Sequence, residues 1–479
     1  MFKKSLWIIL LLIIIIHVCY SFRQHLNIGL DGDMALLILP SEWYQKVFDD
    51  PFGMSVLLKN EIYAGPNRFF AHWIYSKYFK VLPGILQNVA NPVDSVYIAC
   101  AIAKTAVQVF IIMLLAFYIS GKKNIFSMEF LLAAVLVCPF FITYQYYRLG
   151  IIDQAITFVF FYALPLALLL LFFLPFFKFF FFGEDINTNF IYRIYMVSLA
   201  IIISLSGAII PGVVLIICPA VLLYMWYSHF KEQSSLPFTR RIFSSLEKIP
   251  KEVLFYFILV SALSIYSLYI GRNNIENSTV EISLSDRYAL LPKGFIYLFN
   301  DMTLLRPLLA VVVVNLIIIR IYFNKNQGKK ILNFSKWIGI CSLIYILLLP
   351  LGGYREYRPY IIRYDTLMPV TLSLILLFGL TANYLILNLS GKFKIIFSVV
   401  ITIFLVAYFY EDKPTVGENR CQRNALFEIS ESKEDIVLLK SDCTVMSWVI
   451  VKNYKESELN AELLKLWGVT KEKKLFYQK

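Results

Sequence analysis

Long apolar runs, separated by short polar breaks, make up most of this chain. The first is "SLWIILLLIIIIHVCYSF", from Ser5 to Phe22, set behind Lys3 and Lys4. A helix needs about 20 mostly apolar residues to cross a bilayer, and this run meets that length. No small-x-small cleavage site follows it. Val18 stands before Cys19 where a lipobox needs a small residue, so the run reads as an uncleaved anchor with its start inside. Further runs near 97–120, 126–145, 155–175, 194–208, 210–227, 253–270, 303–323, 337–351, 366–388 and 395–410 predict about eleven spans in all. The expected fold is an all-α polytopic membrane protein.

The polar breaks orient those spans. With the start inside, the loops expected in the cytoplasm carry "GKKN", "FKEQSSLPFTRRIFSSLEKIPK", "NKNQGKK" and "SGKFK". All are short and Lys-rich, as the positive-inside bias requires. An odd number of spans then places the tail outside. Three segments fall to the outer face: a large first loop over 21–96, the stretch Gly271–Met302, and the tail Glu411–Lys479. In the first loop, "MALLILPSEWYQKVFDDPFG" and "NEIYAGPNRFFAHWIYSKYFKVLPGIL" mix apolar and charged positions at helical spacing. They predict amphipathic helices in the interface, with Trp43, Tyr44, Trp73, Tyr75 and Tyr78 at headgroup depth. In the tail, "DIVLLK" suits a strand and "ESELNAELLKLW" a helix. The chain thus divides into a transmembrane domain, 1–410, and a small extracytoplasmic α/β domain, 411–479.

Composition narrows the class. Of 479 residues 59% are hydrophobic and only 16% charged, where a soluble domain has about 25% charged. The net charge of +13 is accounted for by the loops, and no basic, aromatic-interleaved module indicates nucleic acid. Five of the seven cysteines lie in apolar runs as small packing residues. Cys421 and Cys443 stand in the polar tail, where a disulfide would fit an oxidising compartment and contribute on the order of 3 kcal/mol. There is no CxxC pair and no Cys/His cluster with metal spacing. "NST" at 277–279 matches a glycosylation sequon.

Candidate chemistry gathers on the outer side. "GLDGDMALLILP" places Asp31 and Asp33 just beyond the first span. Asp33 either N-caps the helix beginning at Met34 or holds a carboxylate at membrane level to take a proton from a hydroxyl. "GGYREYRPYIIRYDTLMP" puts Arg355, Arg358 and Arg363 in one short outer loop with Glu356 and Asp365, interleaved with Tyr354, Tyr357, Tyr360 and Tyr364. Short outer loops avoid basic residues, so the cluster serves a local purpose, which is phosphate recognition, pairing with its own acids, or snorkelling to anionic lipid. Lys104 lies roughly 12 Å inside its span, where an ionisable group is a functional candidate. Arg148 and Asp153 flank the next outer turn, and Arg287, Lys293 and Arg306 share that side. Arg68 and His72 belong to the first loop; such a histidine is either a hydrogen-bonded interface residue or a catalyst.

An anchor leading into a long first outer loop that opens with acids ("LDGDMA"), about eleven spans and a small outer tail resemble the GT-C superfamily of integral membrane glycosyltransferases. The resemblance implies transfer of a sugar from a polyprenyl-phosphate carrier to a glycan or lipid acceptor at the outer face of a bacterial inner membrane. It implies Asp33 as the catalytic base, with Asp31 orienting it or binding a divalent cation such as Mg or Mn. It also implies that Arg355, Arg358 and Arg363, with Lys104 and Arg148, hold the donor phosphate. Asp153, Arg68, His72 and Tyr357 complete the candidates. Three other readings remain open at this stage, among them a catalytically idle scaffold. Another is an O-antigen-type polymerase or ligase, which carries its large outer loop late. The last is a lipid-carrier transporter or flippase, which often shows matched halves.

Overall fold

A computed structural model describes residues 2–141, 149, 151–277, 282–301, 303–323, 325–355, 358 and 360–479. Arg148, Glu356, Tyr357 and the sequon's Ser278 and Thr279 lie outside these residues. The chain is nearly all helix. Helix α1 (Phe2–Leu26) enters a run of short helices, α2 (Met34–Ile38), α3 (Glu42–Asp49), α4 (Met54–Lys59) and the longer α5 (Phe69–Leu86). Then come α6 (Pro92–Ser120), α7 (Met128–Phe141), α8 (Ile156–Phe182), α9 (Phe190–Ser204), α10 (Ile209–Glu232), α11 (Phe238–Glu247) and α12 (Lys251–Gly271). After α13 (Leu284–Asp301) follow α14 (Leu305–Tyr322), α15 (Asn326–Leu348), α16 (Tyr364–Asn388) and α17 (Gly391–Tyr410).

Among the described residues nine helices are long and apolar enough to cross a membrane, which makes this a multi-pass membrane protein. They stand where nine of the expected runs stand. The other two runs form the shorter apolar helices α7 and α9. The 15 residues of α9 extend only ~22 Å, against about 30 Å of hydrocarbon.

Local signals start and stop these helices. Asn91 caps α6 by accepting from the Asp94 N–H at 2.8 Å, and Ser127 caps α7 through the Phe130 N–H at 3.3 Å. The core is centred on α6, α8 and α16, the most buried of the spans. In a bilayer, apolar surface does not distinguish one helix from another, so polar contacts help to set the pairing. Between α1 and α6, Gln108 meets His17 (3.0 Å), Ser21 (2.8 Å) and His25 (2.9 Å), all buried. Each such bond contributes about 0.6–2 kcal/mol in a membrane.

Helices form over the expected segments of the first loop, but two of their aromatics face inward. Tyr75 is fully buried on Phe79 and Phe160, and Tyr78 donates its hydroxyl to the Ala99 carbonyl at 2.8 Å, because α5 lies against α6 and α8. Trp73 remains exposed.

The tail contains α18 (Arg420–Glu431), β1 (Ile436–Leu439), α19 (Glu458–Leu466) and β2 (Leu475–Gln478). The strands pair in parallel, Ile436 opposite Leu475. "DIVLLK" thus supplies a strand and "ESELNAELLKLW" a helix. Cys421 and Cys443 are joined by a disulfide, with Cα atoms 6.2 Å apart. The tail is docked on the helices. Gln422 bonds both the N–H and the carbonyl of Leu30 (2.7 and 3.1 Å), Arg423 pairs with Asp94 at 2.6 Å, and Trp467 donates to the Phe79 carbonyl at 2.9 Å.

Candidate active site

A cavity of about 690 Å³ opens where the first loop, the start of α8, the loops after α12 and before α16, and the tail converge. Its wall carries Asp33, Arg68, His72, Asp153, Arg355 and Arg358. Residues picked from separate stretches of the sequence therefore share one chamber.

Asp33 occupies the N-cap position of α2, but its side chain makes no cap bond. The Trp448 indole N–H donates to Asp33 Oδ1 at 2.9 Å instead. Burial pushes the Asp33 carboxyl up, against the pull of Trp448 and Arg358, while Glu276 adds to the rise. A carboxylate raised in this way is a better proton acceptor.

Asp31 is 6% exposed and does not line the cavity. Its Oδ2 accepts the Thr157 N–H at 2.9 Å, and its Oδ1 accepts the Thr157 hydroxyl and the Asp33 N–H, both at 3.0 Å. Thr157 lies in the first turn of α8, whose N–H groups have no partner within the helix. Asp31 thus ties the turn before α2 to the start of α8. Burial pushes it up to about 6. Its oxygens are taken by these donors. Among the described residues no three Asp, Glu, His or Cys side chains gather as metal ligands, so no step here is routed through a divalent cation.

Three guanidinium groups face the acids. Arg355 pairs with Glu276. Arg358 lies 3.3 Å from Asp365 and 5.2 Å from the centre of the Phe158 ring. Arg68 stands 6.0 Å from the Phe161 ring centre, and among the described residues it makes no ion pair. Beside it Gly207, at φ +116°, keeps the turn before α10 close to the Arg68 side chain. Burial works to raise Glu276, but Arg355, Arg68 and Arg358 outweigh it and hold the carboxyl below its ordinary range. Burial lifts Asp153 to about 8, so near neutrality it is largely a proton-bearing acid. His72 is 2% exposed, edge-on to Phe161 at 4.8 Å, and its Nδ1 has no partner among the described residues. Burial, with Arg68 nearby, depresses it to about 3, which keeps the imidazole neutral.

Two expected phosphate ligands are elsewhere. Arg363 is absent from the wall because it grips Asp365 with two 3.0 Å bonds at the start of α16. Lys104 is buried and donates to the Gln154 carbonyl, one layer behind the wall. Arg148 and Tyr357 lie outside the described residues.

Sequence reasoning did not select Glu276, Tyr44, Gln154 or Trp448 as site residues. Tyr44 donates to Glu276 at 3.4 Å. A lone acid among the Asn-rich residues after α12 gave only a weak hint of Glu276. Nothing local marked Trp448, which reaches the cavity only because the tail folds back. The apolar and aromatic part of the wall includes Leu36, Leu37, Phe158, Phe161 and Tyr162. The last two are presented by a π-helical turn, Val159–Ala163, a deformation frequent at functional sites. Comparison of this chain with protein-family models, with curated proteins and with solved structures finds no match.

Proposed function

We propose that this chain is a membrane glycosyltransferase of the GT-C kind, moving a sugar from a polyprenyl-phosphate carrier to an acceptor hydroxyl. In this reading the protein sits in a bacterial inner membrane with its amino terminus in the cytoplasm. Eleven spans, α7 and α9 among them, leave the cavity and the small α/β tail domain on the outer side. The observation that carries the reading is the convergence of Asp33 with Arg68, Arg355 and Arg358 on one cavity.

The chemistry follows from the two sets of groups. The bond between the anomeric carbon and the phosphate oxygen breaks, and the lipid phosphate leaves with a growing negative charge. Guanidinium groups already in place stabilise that charge without reorganising. Arg358 and Arg355 are each partly neutralised by an acid, while Arg68 brings to the same wall a positive charge that no described acid pairs. The acceptor hydroxyl forms the new bond to the anomeric carbon, and its proton passes to Asp33. General-base assistance of this kind contributes about 10²–10⁴ in rate. Displacement in one step inverts the anomeric centre. Neutral His72 offers a hydrogen bond to either substrate without adding charge, and protonated Asp153 can donate to a phosphate or sugar oxygen.

The test uses the full-length protein in liposomes with a panel of radiolabelled polyprenyl-phosphate sugars. Transfer is expected with wild type and is expected to fall at least about 100-fold in Asp33→Asn, with expression and membrane insertion unchanged. Wild-type activity in that variant removes Asp33 from the mechanism. Movement of the labelled carrier between leaflets without sugar transfer would instead favour a flippase.

A further inference from the structure

We propose that Trp448, contributed by the tail, is the acceptor platform of this site, and that the acceptor is a saccharide whose ring lies on the indole. The proposal rests on the glycosyltransferase reading and names its acceptor class.

Trp448 stands in a stretch without regular structure, and the residue is 56% exposed on the cavity wall. The stretch is nevertheless held on several sides. The Cys421–Cys443 disulfide anchors its start to α18, Gln422 donates to the Thr444 carbonyl at 3.3 Å, and Asn460 donates to the Met446 carbonyl at 3.1 Å. At Trp448 the backbone rests directly on Gly32, where a Cβ would come within 2.6 Å of the Trp448 nitrogen. Only glycine permits that approach, which accounts for the residue between the two acids. The indole N–H is then tied to Asp33, so the ring plane is fixed while its surface stays open.

This geometry constrains the acceptor. A hydroxyl that gives its proton to Asp33 must sit about 3 Å from that carboxylate, and therefore beside the indole. The molecule carrying it must cover a flat apolar face while presenting hydroxyls at its rim. A pyranose does this, with C–H bonds on one face and hydroxyls around the edge. An aromatic body with a polar handle is suited to such a half-wet contact. A lipid chain would have no use for a fixed plane held against a carboxylate.

Trp448 also acts on Asp33 itself. Its N–H opposes the rise that burial causes. The other groups facing that carboxyl are Asp31 on the same turn, Tyr44 from α3, Tyr75 from α5, and Glu276 and Arg358 from the flanking loops.

The experiment compares wild type, Trp448→Phe, Trp448→Ala and Gly32→Ala as full-length protein in nanodiscs. Pyranose oligosaccharides serve as probes, with binding read by saturation-transfer NMR. Wild type and Trp448→Phe are expected to bind, whereas Trp448→Ala and Gly32→Ala lose binding. In transfer assays Trp448→Ala is expected to raise acceptor KM about tenfold while donor KM holds. Trp448→Phe keeps acceptor KM near wild type but moves the acid limb of the pH–rate profile upward. Unchanged acceptor KM in Trp448→Ala overturns the proposal. So does absence of saccharide binding by wild type, or transfer to diacylglycerol in vesicles but to no saccharide. If wild type binds saccharide through Trp448 but transfers no sugar independently of Asp33 status, the glycosyl-transfer reading fails and the platform stands.

Discussion

Trp448 donates its indole N–H to Asp33 Oδ1 at 2.9 Å, across 415 positions of sequence. The bond bears on the capping reading of Asp33, which it removes. Asp33 stands at an N-cap position yet caps nothing, and its carboxylate is turned toward the cavity and the tail. The short helix α2 begins without side-chain help, stabilised by four buried residues, Met34, Ala35, Leu37 and Ile38.

The pH dependence of activity follows from the same carboxylate. Its folded pKa is raised, chiefly by burial, so the proposed base becomes protonated at a pH above the ordinary carboxylate range. Transfer is expected to decline as pH falls through that raised value and to hold above it. A pH–rate profile whose acid limb stays at or below about 4 would contradict this. His72, depressed to about 3, is expected to add no limb between pH 5 and 8, and His72→Gln should leave the profile's shape unchanged.

Arg358 and Arg363 separate phosphate recognition from scaffolding. Arg358 lines the cavity, and its loss leaves Asp365 still held by Arg363. Arg358→Ala is therefore expected to raise donor KM about 10–100-fold with a nearly unchanged melting point, the loss of one charge-assisted contact. Arg363→Ala is expected to leave donor KM near wild type but to cost about 1–3 kcal/mol, because a buried carboxylate loses its bidentate partner. Donor titrations and thermal unfolding in detergent distinguish the two patterns.

Asp31→Ala leaves the Thr157 N–H at the start of α8 without its acceptor, at a cost of about 1–3 kcal/mol. Asp31→Asn keeps an acceptor oxygen and is expected to be milder. A folded pKa of about 6 lies above the ~3.9 of an unfolded Asp. Between those values the folded state binds more protons, so the stabilisation is complete below the lower one and is lost as pH rises through about 6. The melting point in detergent should fall over that window in wild type, and less in Asp31→Asn.

The disulfide bears on activity through Trp448. Cys443→Ser releases one anchor of the stretch beneath the indole, and closing a loop of this size, 22 positions, contributes on the order of 3 kcal/mol. Lower tail stability, greater protease sensitivity near Trp448 and a higher acceptor KM are expected together. Equal mobility of wild type on reducing and non-reducing gels after thiol alkylation would count against the bond.

The amino-acid sequence by itself determined the membrane character and the position of the nine helices that, among the described residues, are long and apolar enough to cross a membrane, because each apolar run must bury its own backbone hydrogen bonds within one continuous helix. It also marked Asp33, Arg68, His72, Asp153, Arg355 and Arg358, since ionisable groups are few in so apolar a chain. Tertiary structure alone decided which of them share a cavity. Arg363 and Arg358 are chemically alike, five positions apart and both within reach of Asp365, yet only Arg358 also lines the cavity. Asp31 and Asp33 flank a single glycine, yet one is spent on α8 and the other faces the chamber. Trp448 carried no local signal, because its role arises from the docking of the tail on Leu30 and Gly32. Periodicity reports what each segment does alone in lipid, whereas a site depends on which side chains neighbouring segments bring to one cavity.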